Sequence, residues 1–257
     1  MIVAIDIGNS KIAFGIFQHN TLISQRRISS SPVQSEAGYL KEIHSLCETI
    51  KSSPQQIEGI VIASVVPTIL AVIIGMIQHR LNITSCIVSG KLELGIKIHY
   101  EDPSMLGADR ICNVVAAYKQ YGGPAIVVSL GTATTYDVIA HNGDFLGGVI
   151  APGVMTAGAN LHQMTAQLPA GSLSFPKQVV SNNTKNSIEA GIAFNAIDGI
   201  EGITRRIKSE LGTDAAVIGT GGLIESISPH TGIFKHIEPY LVLQGAYLIY
   251  QSVRNSQ

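Results

Sequence analysis

From Ile2 onward, short apolar runs alternate with small turn-forming residues. Residues 2–7 read as a buried strand, 12–17 as a second and 22–28 as a third, with His19-Asn20 as the hairpin turn between the last two. After Glu36, the positions Leu40, Ile43, Leu46, Cys47 and Ile50 fall at helical spacing, and Ser52-Ser53-Pro54 ends that helix. Residues 59–66 form a β-branched, almost wholly apolar run that suits a strand covered on both faces. Pro67 opens a helix expected to run through Ile69, Leu70, Ile73, Ile77 and Leu81, after which Cys86-Ile87-Val88 makes one more strand. Lys91 to Met105 has neither period and reads as a surface connection, and Gly107 leads into a helix bearing Ile111, Val114, Val115 and Tyr118.

The opening pattern then returns. Past the turn cluster Tyr121-Gly122-Gly123-Pro124 comes Ala125-Ile126-Val127-Val128-Ser129-Leu130-Gly131-Thr132-Ala133, and placing Gly8 on Gly131 sets Asp6 on Ser129 and Asn9 on Thr132. A strand over 134–139, a turn at His141-Asn142-Gly143 and a strand ending at Ile150 complete the copy. A helical, small-residue segment follows Ala151-Pro152-Gly153, and a loop from Pro169 to Asn183 is free to reach a neighbour. A long helix is expected over 187–211, a strand over 215–219 running into Thr220-Gly221-Gly222, and a final helix over 241–253. The expected class is α/β with two similar halves, 1–118 and 119–257, the last helix being left open to cross back to the first half.

Composition narrows the partners. With 257 residues, 46% hydrophobic and 14% charged, the chain has apolar material for full cores, and a net charge of −1 supplies no basic field for a nucleic acid. Arg26-Arg27 and Arg205-Arg206 with Lys208 read as solvated edge and helix charge. Cys47, Cys86 and Cys112 have neither disulfide-framework nor zinc-ligand spacing, which fits a reducing compartment. No leader pattern or membrane-length apolar run is present, so a cytoplasmic protein with no membrane partner is expected.

The candidate chemistry gathers at the glycine turns. Ile2 to Ser10 is a strand that delivers the Asp6 carboxylate and then turns on Gly8 into Asn9 and Ser10, presenting backbone N–H groups to a phosphate and a charge to Mg²⁺ through water. Two such turns suggest a cleft gripping a phosphate chain from both sides without a Walker motif, and Ser10, Thr132 and Thr134 would add donors. Lys11 reads either as added charge near phosphates or as an exposed strand lysine. Thr220-Gly221-Gly222 suits close approach of an adenine or ribose. Asp109, in Gly107-Ala108-Asp109-Arg110 at a helix start, has two open readings. It complements the helix dipole, or it takes the proton from a substrate hydroxyl while Arg110 pairs with an anion.

Together, Asp6-Ile7-Gly8-Asn9-Ser10, Gly107-Ala108-Asp109-Arg110, Gly131-Thr132-Ala133-Thr134-Thr135, Gly147 to Gly153 and Thr220-Gly221-Gly222 resemble, in order and spacing, the type III pantothenate kinases. The resemblance implies two ribonuclease H-like halves of the acetate and sugar kinase, heat-shock ATPase and actin superfamily, in a homodimer. It also implies an ATP phosphate loop over Asp6, Ile7, Gly8, Asn9, Ser10, Lys11, Ile12 and Ala13, with Thr132 as a second. Tyr100, Gly107, Ala108, Asp109 and Arg110 would form a pantothenate pocket with Asp109 as proton acceptor, and Thr184 would reach substrate across the dimer interface. Mg²⁺ with ATP, and K⁺ or NH₄⁺, are the family's cations. Where the family usually carries a cation-binding aspartate, this chain has Ser129, so weak or absent K⁺ activation is expected. Two other readings remain: a relative of low turnover serving as a regulatory or accessory protein, and a sugar or acid kinase of the same superfamily.

Overall fold

The structure is a computed structural model and describes residues 1–255. The chain divides into two compact units, Met1–Gln120 together with the chain from Tyr240 onward, and Tyr121–Pro239. The last helix therefore belongs with the first unit and not with a half spanning 119–257.

The first unit opens with antiparallel strands β1 (Ile2–Ile7), β2 (Lys11–Gln18) and β3 (Thr21–Ser29), followed by α1 (Glu36–Thr49), β4 (Gly59–Ser64), α2 (Pro67–Met76), β5 (Ser85–Ile87) and α3 (Ala108–Tyr121). The sheet runs β3-β2-β1-β4-β5, with β4 parallel to β1 and β5 parallel to β4. Alternation decides its two faces. Val3, Ile5, Ile7, Ile12, Phe14 and Ile16 turn to one side and form a core with Tyr39 and Ile43 of α1 and Ile69 and Ile73 of α2. The opposite side carries Ala4, Ala13, Gly15 and Gly59, small enough for the C-terminal helix, Leu241–Asn255, to lie close to the strands. There Tyr247 stacks on Phe17 with ring centroids 4.3 Å apart. A methyl group added at Gly59 would run into the Tyr250 hydroxyl, and one at Gly245 into the backbone of Cys112 on α3.

The helix read as continuous from Pro67 to Leu81 changes character at Met76. Ile77–Leu81 is a π-helical turn, and Asn82, in the left-handed region at φ 54°, ends it. An apolar period reports which side is buried and is blind to which carbonyl each N–H reaches, so nothing in the residue pattern announces the change.

The second unit repeats the plan. It comprises β6 (Ala125–Leu130), β7 (Ala133–Ile139), β8 (Phe145–Pro152), helix α4 (Val154–Gln163) and helix α5 (Thr184–Leu211). Strand β9 (Ala216–Thr220), the short helix α6 (Ile224–Ile227) and strand β10 (His236–Ile237) follow, and α7 is the C-terminal helix already described. Its sheet runs β10-β9-β6-β7-β8, the same arrangement of a central strand, two antiparallel neighbours on one side and two parallel ones on the other. Ile126, Val128, Leu130 and Tyr136 pack with Ile188, Ile192, Ile200 and Ile207 of α5. Helix α5 starts three residues earlier than its apolar period suggests, because the Asn183 side chain accepts from the Asn186 N–H at 2.9 Å. It ends on Gly212 at φ 65°.

Candidate active site

In the first unit the β1–β2 turn is closed by the Gly8 N–H donating to the Lys11 carbonyl at 3.0 Å, which leaves Asn9, Ser10 and Lys11 exposed. Ser30, just beyond β3, fastens this turn: its hydroxyl donates to the Gly8 carbonyl at 2.6 Å and its N–H to the Ser10 carbonyl at 3.1 Å. Ile7 and Ile12 send their side chains into the core, so they can meet a ligand through backbone alone. Asp6 is paired across the sheet with Ala13 on β2 and Ala63 on β4, two methyl groups that leave room around its carboxyl.

Beyond β4, the Val65 N–H bonds to the Ile7 carbonyl at 3.1 Å, and a side chain added at Gly107 would meet Val65 at 3.5 Å. This packing sets the start of α3 beside the end of β1. The Asp6 carboxyl is pushed up to about 7, first by burial and then by the charge of Asp109, against an opposing pull from Arg27. A small part of Asp6 remains open to solvent, but the atoms crowded around it strip most of its hydration. Asp109 is also raised, by burial, while the N–H and charge of Arg110 oppose the rise. Arg110 is buried, with its guanidinium carbon 5.9 Å from the centroid of the Tyr100 ring. Asp6, Asp109, Arg110 and Tyr100 thus belong to one site within the first unit. Two carboxyls in such surroundings fit a Mg²⁺ ion, which takes one or two carboxylates and leaves the rest of its sphere to water and phosphate.

In the second unit three glycine turns meet at the end of β6. The Gly131 N–H donates to the Ala133 carbonyl at 3.1 Å, and the Thr132 carbonyl accepts from the Gly153 N–H at 3.2 Å and the Thr156 hydroxyl at 2.7 Å. Gly221 has φ 96°, and a Cβ there would stand 2.6 Å from the Leu130 backbone. Gly131, Thr132 and Gly222 are exposed at this junction. Ser129 lies between Thr135 on β7 and Thr220 on β9. Thr184 is the first residue of α5 and is exposed.

The sequence missed Ser30 and Thr156, whose bonds hold the two turns. A serine just after a strand and a threonine in a helix have no distinguishing pattern, and only the fold brings them to the glycines. Arg26, exposed on edge strand β3, is a solvated edge charge as expected and pairs with Glu42 of α1 at 2.7 Å. Arg27 differs from that expectation, being half-buried with its guanidinium carbon 4.5 Å over the Tyr240 ring.

Residues 2–206 match the type III pantothenate kinase family. The chain is 38% identical over 251 residues to a type III pantothenate kinase of Moorella thermoacetica, covering 98% of this chain and 99% of that one. A protein of the same name from Halalkalibacterium halodurans is 38% identical over the same shares. The chain belongs to the type III pantothenate kinase family. Solved structures share the fold at low identity. Component A of (R)-2-hydroxyglutaryl-CoA dehydratase from Acidaminococcus fermentans superposes with a TM-score of 0.57 at 14% identity, over 98% of each chain. The fold is thus that of the acetate and sugar kinases and actin-like ATPases, with duplicated ribonuclease H-like domains. Among the described residues no helix is long and apolar enough to cross a membrane. The stretch that matches the pantothenate kinase family runs from β1 into α5 and takes in both glycine turns and the start of α3.

Proposed function

We propose that this chain transfers the γ-phosphoryl group of ATP to the hydroxyl of pantothenate, giving 4′-phosphopantothenate and ADP at the entry to coenzyme A biosynthesis. The observation that carries the reading is Asp109, a carboxyl of raised proton affinity at the start of α3, set beside Asp6 and followed by a buried arginine that faces Tyr100.

In this reading Asp109 accepts the hydroxyl proton as the oxygen attacks the γ-phosphorus and the bond to the bridging oxygen breaks. Burial makes its carboxylate a stronger base than an exposed one. Tyr100, Gly107, Ala108 and Arg110 hold pantothenate, whose carboxylate suits the Arg110 guanidinium. The backbone of Asp6 to Ala13 and the Thr132 turn are assigned to phosphate, and Gly221 and Gly222 to the nucleoside. Asp6 would hold Mg²⁺, which when bound would neutralise phosphate charge. Ser129 offers a hydroxyl where a carboxylate would hold K⁺ or NH₄⁺, so monovalent activation should be weak. Thr184 is assigned to the pantothenate of a second copy in a homodimer, a reading supported by the exposed Leu146, Val149 and Ile150 on edge strand β8. Three free cysteines fit a reducing cytoplasm.

ADP release coupled to a spectrophotometric signal, with and without pantothenate, tests this directly. Absence of pantothenate-dependent turnover in folded protein, across several monovalent salts, would remove it. The neutral Ser129 favours one other reading, a relative of low turnover that acts as a regulatory protein, and the same assay separates the two.

A further inference from the structure

Arg26 and Arg27 are adjacent in the chain and leave β3 on opposite faces of the sheet. Arg26 turns to α1, where it meets Glu42 and donates to the Ser45 hydroxyl at 2.9 Å. Arg27 turns to the face that carries Asp6. The register pairs Arg27 with Ala13 and Ala13 with Asp6, so the three stand in one row across β3, β2 and β1. Two strand spacings, about 10 Å, separate the backbones of the arginine and the aspartate. The small Ala13 between them leaves the space above the row open to a long side chain.

Two contacts fix the row. The Arg27 guanidinium carbon lies 4.5 Å from the centroid of the Tyr240 ring, at the approach to α7. Ser30, three residues further on, ties the end of β3 to Gly8 and Ser10, so the arginine is held at the same end of the sheet as the glycine turn. A site built on two carboxyls repels phosphate unless cations offset them. Arg110 serves the α3 side of the site against Tyr100. Arg27 stands on the side of the β1–β2 turn, and a guanidinium presents planar pairs of N–H donors that match phosphate oxygens.

We propose that Arg27 is a phosphate-contacting residue of this site, its guanidinium held over Tyr240 and donating hydrogen bonds to a phosphoryl oxygen of the bound nucleoside triphosphate. The inference rests on the kinase reading above. During transfer the bond from the γ-phosphorus to the bridging oxygen breaks, the bond to the acceptor oxygen forms, and the hydroxyl proton goes to Asp109. Arg27 neutralises part of the charge on the phosphates through this exchange and takes no proton.

The test compares Arg27→Ala and Arg27→Lys with the unaltered chain. Arg27→Ala should lower kcat/KM for ATP by roughly 10²-fold, the scale of losing one electrostatic donor. KM for pantothenate should stay within about twofold, since the loss falls on one substrate. Lysine, or methylguanidinium added to the alanine variant, should restore part of the activity. A second arm measures calorimetrically the binding of a non-hydrolysable ATP analogue and of adenosine. The alanine variant should lose affinity for the triphosphate and keep it for adenosine. Undiminished triphosphate binding in Arg27→Ala overturns the inference whether or not the chain phosphorylates pantothenate. Equal loss for both ligands, with a lower melting temperature and no rescue by methylguanidinium, also overturns it and makes Arg27 a packing residue. If wild-type protein shows no turnover of pantothenate while the triphosphate selectivity depends on Arg27, the kinase reading fails and the inference about Arg27 stands.

Discussion

At the end of β1 the row across the sheet reads Arg27, Ala13, Asp6, Ala63, and at the end of β6 it reads Ile150, Thr135, Ser129, Thr220. The strand order around both rows is the same. Where the first unit has a carboxylate and an arginine, the second has a hydroxyl and an isoleucine at the matching places. The turns differ too. Between the paired residues Ile7 and Ile12 there are four residues, Gly8 to Lys11, and between Leu130 and Thr134 only three, Gly131 to Ala133. Duplication therefore fixes where a residue stands in the sheet and leaves its chemistry free. The first turn carries charge, and the second offers backbone and hydroxyl groups held by Gly153, Thr156 and Gly221.

The largest effect should come from the charged side. Asp109→Asn is expected to lower turnover by roughly 10²–10⁴-fold, as loss of a general base does, measured by coupled ADP release. Activity near wild type would leave Asp109 as a helix-start acid only. Asp6→Asn should cost roughly 10–100-fold, the scale of disturbing a group that orders a metal's water shell, and Ser129→Ala much less. Equal tolerance at the two positions would break the comparison.

A stability measurement sharpens the same contrast. Asp6 titrates at about 7 in the folded chain against an ordinary 3.8, so its ionisation opposes folding. The penalty is absent below about pH 4, grows as the pH rises toward 7, and is complete above it. Since a tenfold change in proton affinity is worth about 1.4 kcal/mol, Asp6→Asn should stabilise the nucleotide-free protein in EDTA by a few kcal/mol at pH 8 and by nothing at pH 4. Melting curves at both pH values decide this, and a variant that is less stable at pH 8 refutes it.

On the neutral side, the junction depends on backbone shape. Gly221→Ala should destabilise by roughly 1–3 kcal/mol, since it combines a left-handed φ with a clash against Leu130. Gly222→Ala, with nothing within 4 Å of its Cβ, should be nearly silent. Urea midpoints of the two variants give the comparison. The smallest effect expected is K⁺ activation. Replacing Na⁺ by K⁺ should change the wild-type rate little, and a strong saturable rise with K⁺ would show that Ser129 has not removed the cation's role.

Much of this plan was legible because it is written locally. Short apolar runs bounded by turn residues marked out the strands of the two halves, and Gly8 and Gly131 marked the turns where the copies align. The tie from Ser30 to Gly8 and the place of Arg27 were hidden, because each depends on the register of three strands and no window of sequence contains it. The one-residue difference between the turns was hidden as well, since both begin Gly-polar and only the pairing of Ile12 and Thr134 shows where each strand resumes. The last helix could be seen as a helix, but its destination could not. Gly15, Gly59 and Gly245 are the residues that admit it, and a lone glycine in a strand marks a bulge or a bend as readily as a close approach.

That helix gives the chain an order of assembly during synthesis. The sheet of β1 to β5 leaves the ribosome first, yet Phe17, Gly15 and Gly59 wait for Leu243, Tyr247 and Tyr250, which are translated more than 180 residues later. The second unit is contiguous and can close while translation continues. The part of the nascent polypeptide made first is thus completed last, and the bare face of its sheet is the surface that a holding chaperone would find during that interval.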